Sequence, residues 1–428
     1  ATDGTWNDVT MEILNYGIGG PNIVDGSTGP NNGGTACADP TPNAIIRIQR
    51  LRDNNWSSCT YAGSITSSDY WPNVLYDTRE ALQRDVSPGS TVFNLGGVMH
   101  YITIDAANAS KWLLATAPFN TGTGAGSKTD NGGYTIYFSD RRNNRDTSSL
   151  ETAEYGYEDF VNPATGTPNA SLDTGEDVNG NTSLELYGGV PNYQGVYNTA
   201  PPGAVSPLTI SARPTSTLTR GVGQTNRAIV FRRALKLTNG SGIRGLGITG
   251  LSVVSENPVY VQGNWNANPG GTGGFAGAHA ATSVIADAVT LLSNNWNDNK
   301  SFRVPYAPGS RVRATSWYRM AIIGGKGIAF PEPGGSGTTD FGTDGGAHNF
   351  LRFLESGDTV NYSGSIATFF YNRQAVGTYK CCATVYGAPT RNYAFDVDFL
   401  DPALLPPNTP VFRDINTVGF AQEIRPGR

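Results

Sequence analysis

The densest set of chemically useful side chains lies between Asp173 and Glu185, in the run Asp-Thr-Gly-Glu-Asp-Val-Asn-Gly-Asn-Thr-Ser-Leu-Glu. Asp177, Asn179, Asn181 and Ser183 stand at every second position, with Asp173, Glu176 and Glu185 around them. Hard Ca2+ takes about six to eight oxygen ligands, and a loop of the EF-hand type supplies them from alternating positions. The run departs from that pattern twice. Thr182 stands where such a loop has Gly, and Gly188 where it has a bidentate Glu. Glu154, Glu158 and Asp159 offer further carboxylates upstream. Acids crowded into a segment this poor in apolar residues repel one another, and an ion would cancel the repulsion and fold the loop. Asp173, Glu176, Asp177, Asn179, Asn181, Ser183 and Glu185 are therefore the expected Ca2+ ligands. The plainer alternative is a solvated acidic loop.

Other constellations are thinner. The three histidines, His100, His279 and His348, fall in no H-E-x-x-H pattern and no i, i+4 metal pair. His348 follows Asp344-Gly-Gly and reads as part of a helix N-terminus. No G-x-S-x-G elbow occurs, and Gly324-Gly-Lys326-Gly lacks the spacing and hydroxyl of a phosphate loop. Gly245-Leu-Gly-Ile-Thr-Gly250 matches the dinucleotide fingerprint letter for letter. That fingerprint works only where a helix opens at it and receives the pyrophosphate. Here Leu251–Ser255 and Val259–Gly263 follow, β-branched and separated by Pro258, so two short strands are expected and no cofactor. Asp396 and Asp398 alternate with Phe395, Val397 and Phe399, the pattern of a half-buried strand with a polar face. With Arg391 they would serve a polysaccharide lyase, two carboxylates holding Ca2+ and a base taking the proton, although nothing in the spacing requires it. Trp6, Trp56, Trp265 and Trp296 sit among Asn, Ser and Thr. Aromatic faces beside amides suit sugar rings; packing between strands with the N–H bonded nearby is the favoured reading of Trp265.

These residues need a scaffold, and composition bounds it. The chain has 428 residues, 54 Gly, 26 Pro and only 15% charged residues, which argues for many turns and few surface helices. A net charge of −5, with six Lys, disfavours a nucleic-acid or anionic-membrane partner. No run reaches the roughly 18 apolar residues that a membrane span needs, and no signal peptide is recognisable. Cys37, Cys59, Cys381 and Cys382 form no C-x-x-C pair. Cys37 and Cys59 flank a Gly/Asn/Pro-rich loop and fit a disulfide in an exported protein. Alternatively the vicinal pair each join an N-terminal cysteine, or all four are free thiols.

Along the chain, Met11–Leu14 reads as the end of a helix continuing upstream. Asp77–Arg84 reads as a surface turn of helix, Val98–Ile104 as a strand, and Asp105 as the cap of a helix reaching Ala115. Gly133–Ser139 is a strand, and 140–202 a loop whose length marks it as functional, disordered or ligand-ordered. Strands resume at Ala228–Phe231 and Ala234–Thr238. Thr282–Trp296 carries Val284, Ile285, Ala288, Val289, Leu291 and Leu292 at helical spacing, so a helix is expected; Phe350, Leu351 and Leu354 predict another. Residues 310–323 turn apolar towards their end, and Val360–Tyr371 reads as a strand pair. Tyr393–Leu405 begins a proline-rich surface strap that runs on to the end of the chain. The expected fold is mainly β: a mixed α/β region over 1–139, a long acidic region over 140–204, and a right-handed parallel β-helix-like region over 205–428. A β-sandwich is the alternative.

Several blocks carry a family resemblance: Asn257–Asn266, Ser283–Ser293, Tyr137–Arg142, Glu158–Pro163, Asp173–Gly180, Thr343–Gly346 and Pro389–Tyr393. Over about residues 70 to 420 the chain resembles exported bacterial PilX-type pilus-assembly or pilus-associated proteins. Family members begin with a prepilin-like apolar helix, which this sequence does not contain. The resemblance implies an extracellular or cell-surface location. It also implies a structural or adhesive role with pilus or filament subunits, further copies of the chain, or a solid or polysaccharide surface as partners. An extracellular polysaccharide-active enzyme on a β-helix is the alternative function.

Overall fold

A computed structural model of the chain describes residues 8–16, 42–51, 70–84, 92–94, 98–120, 132–140, 171, 231–268, 273–298, 301, 308–325, 351–370, 375 and 387–409. It is mainly β with a few short helices. The helices are α1 (Thr10–Asn15), α2 (Thr78–Ala81) and α3 (Ala106–Leu113). Short strands β1 (Ile46–Arg47), β2 (Gln49–Leu51), β3 (Tyr70–Pro72), β4 (Val74–Tyr76), β5 (Leu82–Arg84) and β6 (Val92–Asn94) precede the main body.

Two parallel sheets make that body. The first runs β7 (Val98–Asp105), β9 (Phe231–Thr238), β11 (Val259–Gln262), β13 (Val289–Leu292), with β1 and β4 antiparallel to β7. The second runs β8 (Tyr134–Phe138), β10 (Gly250–Ser255), β12 (Ala281–Ala286), β14 (Ser316–Gly324), β15 (Thr359–Ala367), β16 (Thr390–Phe395). From β7 to β14 the chain alternates between the sheets, one strand in each in turn. β7 and β8, which precede residue 139, pair with β9 and β10, which follow residue 205.

Register explains the core. Ile104, Leu237, Val261 and Leu291 stand at one level of the first sheet, and Leu235, Val259 and Val289 at another. Val253, Val284 and Ile322 stand at one level of the second. These side chains meet in a single cluster between the sheets. Each fully buried Val, Leu or Ile contributes about 1.5–3 kcal/mol relative to exposure.

The first sheet is covered on its other face too. Tyr101, Ala234, Tyr260, Leu292, Trp296 and Leu354 pack there with Leu75 and Met99. Burial of β13 on both faces accounts for part of the first correction. Thr282–Trp296 is not a helix; it is β12, a bend at Asp287-Ala288, then β13. A strand buried on both sides reads as a continuous apolar run, without alternation, and such a run also satisfies helical spacing.

Three further expectations change. Leu351–Glu355 is not helical: it lies along the first sheet, where Arg352 bridges to Thr290, with Phe353 in the inner cluster and Leu354 in the outer one. Among the described residues, 360–370 hold one strand, β15, not a pair. Thr78, Arg79 and Glu80 of the helical turn are buried rather than on the surface, because Asp77 accepts from Tyr260 (2.7 Å) and Arg352 reaches Asp77 (3.7 Å) and Glu80 (2.7 Å). Burial alone would lower the Arg352 pKa, but those two carboxylates raise it. The cap behaves as its sequence predicts: the Asp105 carboxylate accepts from the Asn108 N–H at 2.9 Å, at the start of α3.

Candidate functional site

The outer face of the second sheet carries a cluster of His and acidic side chains. Along β14 the side chains alternate, with Tyr318, Met320 and Ile322 buried inward and Trp317, Arg319 and Ala321 on the other face. Arg319 meets the chain where it leaves β16. Its Nε donates to Asp396 Oδ2 (2.6 Å), and one terminal nitrogen donates to Asp396 Oδ1 (2.8 Å) and Asp398 Oδ2 (3.1 Å). His279, just ahead of β12, places Nε2 2.9 Å from Asp398 Oδ2. The half-buried strand expected at Asp396–Phe399 is not formed. β16 ends at Phe395, and Asp396 caps a 3-10 turn, Val397–Leu400, by accepting from the Asp398 N–H. The turn brings both carboxylates onto one guanidinium.

His279, Asp396 and Asp398 can each offer a ligand atom, and these atoms lie within 4.8 Å of one another. A fit test separates the metals. Ca2+ prefers oxygen donors throughout, whereas imidazole with carboxylates suits transition metals. Either ion must compete with Arg319, which occupies both Asp396 oxygens. Burial raises the Asp396 pKa, but the hydrogen bonds and charge of Arg319 outweigh it and hold the carboxyl below its ordinary value. The group is thus already compensated, and it fits an ion-pair lock better than a Ca2+ cage.

What the lock holds is the strap beyond β16. Residues 396–409 cross the sheet to its other edge, where Ser252 Oγ donates to the Pro407 carbonyl (2.8 Å) and Asn408 Nδ2 to Thr135 Oγ1 (2.8 Å). This crossing explains the last glycine of Gly245–Gly250. A Cβ on Gly250 would lie 2.8 Å from Pro407 Cγ. Residues 241–247 form turns and β10 opens at Gly250, so no helix follows the fingerprint.

Other candidates resolve individually. Trp265 is fully buried and its Nε1–H donates to Thr282 Oγ1 (3.4 Å). Trp296 is buried and donates to Asp298 Oδ1 (2.7 Å), so it presents no sugar-binding face. Asn264 and Asn266 tie successive strands: Trp317 N–H donates to Asn264 Oδ1, and Asn266 Nδ2 donates to the Ala280 and Arg319 carbonyls. His100 lies buried 2.8 Å from an Arg233 nitrogen. Arg391 is exposed on β16, opposite Val360, and makes none of the contacts within the lock. The expected Ca2+ ligands Asp173–Glu185, the cysteines Cys37, Cys59, Cys381 and Cys382, and Trp6, Trp56 and His348 lie outside the described residues.

Sequence reasoning missed Arg319 and His279 as partners of Asp396 and Asp398. The available signal was alternation in Ser316–Ile323, which sets Arg319 opposite to the apolar positions. No helix among the described residues is long and apolar enough to cross a membrane. No family model, curated protein or solved structure matches the chain.

Proposed function

We propose that this chain is an exported structural or adhesive protein of the cell surface, built as a right-handed parallel β-helix-like stack. The observation that carries the reading is the regular passage of β7 to β14 between two parallel sheets, level with level. Such stacking leaves strand edges open only at the two ends of a stack. At one end β16 is exposed along its length, and Tyr393, Phe395, Val397, Leu400 and Leu404 present apolar side chains there and just beyond. A large exposed apolar patch suits contact with another chain, here a filament subunit or another copy. The sequence resemblance to type IV pilus-associated proteins supports the same assignment.

Ca2+ ordering of Asp173–Glu185 belongs to this reading. Calorimetric titration of EDTA-stripped protein with Ca2+ is expected to release or absorb heat and to raise the melting temperature; neither change would remove the site. The rival reading is a polysaccharide-active enzyme using Asp396 and Asp398. Antibody labelling of intact cells producing the full-length protein, with a turnover screen on pectins, alginates and glycosaminoglycans, separates the two. Surface labelling without turnover supports display. Turnover abolished by Asp396→Asn overturns it.

A further inference from the structure

Lys236 and Asp298 lie 62 residues apart in the chain and meet beside the first sheet. Lys236 stands on β9, level with Thr103 of β7 and Tyr260 of β11, and Asp298 follows β13. Both are buried, Lys236 at 4% exposure and Asp298 at 5%. The Lys236 Nζ sits 3.0 Å from Asp298 Oδ1 and 3.1 Å from Oδ2, so it faces both oxygens of the carboxyl group. Tyr101 and Trp296, members of the apolar cluster on the outer face of this sheet, flank the pair.

Each oxygen of Asp298 has its own donor. The Tyr101 hydroxyl donates to Oδ2 at 2.6 Å, and the Trp296 Nε1–H donates to Oδ1 at 2.7 Å. The same Tyr101 hydroxyl lies 3.5 Å from Lys236 Nζ and accepts from it, so one O–H joins the amine to Oδ2. The backbone beneath the carboxyl group is tied down too. The Ser301 hydroxyl donates to the Asp298 carbonyl, and the Tyr76 N–H donates to Ser301 Oγ at 2.8 Å. The Tyr101 ring, 4.7 Å from Nζ, holds the ammonium in place. Taking two charges out of water is costly. Passing one proton from Nζ to the carboxylate removes both charges and bares the lone pair that makes an amine a nucleophile.

We propose that Lys236 and Asp298 condense into an intramolecular amide, with Tyr101 relaying the proton. The neutral Nζ attacks Cγ of the protonated carboxyl group, and the N–C bond forms. Charge developing on Oδ1 is met by the Trp296 N–H, a fixed donor in a dry site. Tyr101 passes its proton to Oδ2 and takes one from Nζ in exchange. The Cγ–Oδ2 bond then breaks, and Oδ2 leaves with two protons as water. An ammonium and a carboxylate become one uncharged amide and one water, with no oxidant, reductant or further reactant. Groups held about 3–3.5 Å apart and aligned in this way gain most of the advantage of an intramolecular reaction. The product is a covalent clip from β9 to the segment after β13, spanning β11. The proposal concerns the chain's own chemistry and stands apart from where the chain is displayed.

The test is the mass of the intact wild-type chain, folded, then reduced and denatured. It is expected to fall one water below the mass of the sequence. Fragmentation of its peptides should place the branch at Lys236 and Asp298, and trypsin should no longer cut after Lys236. Tyr101→Phe keeps the ring and removes the relay. Proton transfer by a positioned side chain contributes about a hundredfold or more, so the bond should form about a hundredfold more slowly in the folded variant, timed by mass after refolding of chain recovered unfolded. The full sequence mass in wild type would leave Lys236 and Asp298 an ion pair only and overturn the proposal. A lost water mapped to other residues, or the wild-type rate in folded Tyr101→Phe, would overturn it equally.

Discussion

Asp396 shows how one residue ties a surface segment to a sheet. It is nearly buried, accepts twice from Arg319, and has its pKa held below the ordinary 3.8. A carboxylate with a depressed folded pKa stabilises above its unfolded pKa, and the contribution disappears as pH falls through the folded value. Hydrogen bonds to charged groups contribute about 1.5–3 kcal/mol. Arg319→Met should therefore lower amide-exchange protection across 396–409 about tenfold to a hundredfold at pH 7. The difference from wild type should vanish once pH falls below the depressed value. Equal protection at neutral pH would mean that the strap is held elsewhere. Gly240 makes a second residue-scale point. A Cβ there would lie 2.1 Å from the ring of Trp265, which is fully buried and has nowhere to move. Gly240→Ala should cost about 1–3 kcal/mol, the usual penalty of overpacking, read as a lower urea midpoint with unchanged slope. An unchanged midpoint would contradict the packing described.

At the scale of elements, what the sequence could disclose followed from how each strand is covered. Val98–Ile104 and Gly133–Ser139 were legible because their side chains alternate and their ends are marked by Asp105 and by Gly132-Gly133. Leu251–Ser255 and Val259–Gly263 were legible because Pro258 forbids a helix between them. β13 was not, since burial on both faces removes alternation, and Val284 and Ile285 of β12 extend its apolar spacing into one that a helix would share. Leu351–Glu355 failed for a related reason: Phe353 and Leu354 point into different clusters, a fact set by the neighbouring sheet. The lock was half legible. Asp396 and Asp398 stood out, but Arg319 lies 77 residues from Asp396 and only the sheet joins them. Coverage also governs dynamics. The central strands β10, β12 and β14 have hydrogen-bonded neighbours on both sides, whereas among the described residues β16 has β15 alone. Hydrogen exchange should be slowest in β10–β14 and much faster along the open edge of β16 in dilute protein, slowing as concentration rises and copies meet there. Uniform protection of β16 at all concentrations would show that the edge is covered within the chain.

At the scale of the molecule, the account rests on strands that are distant in sequence lying in one parallel stack. Its sheets place Val254, Ile285 and Ile323 at one level of adjacent strands, half-buried on the face away from the inner cluster. Neighbouring strands are about 4.8 Å apart, within the roughly 4.4–6.8 Å that a disulfide bridges. Strands two apart are roughly 10 Å away and out of reach. The direct measurement is oxidative trapping in two otherwise unaltered chains, one with Val254→Cys and Ile285→Cys, the other with Val254→Cys and Ile323→Cys, each mapped by mass spectrometry of its peptides. The account predicts a 254–285 bond and no 254–323 bond. The reverse result, or neither bond in folded protein, would contradict the stack on which the proposed surface role is built.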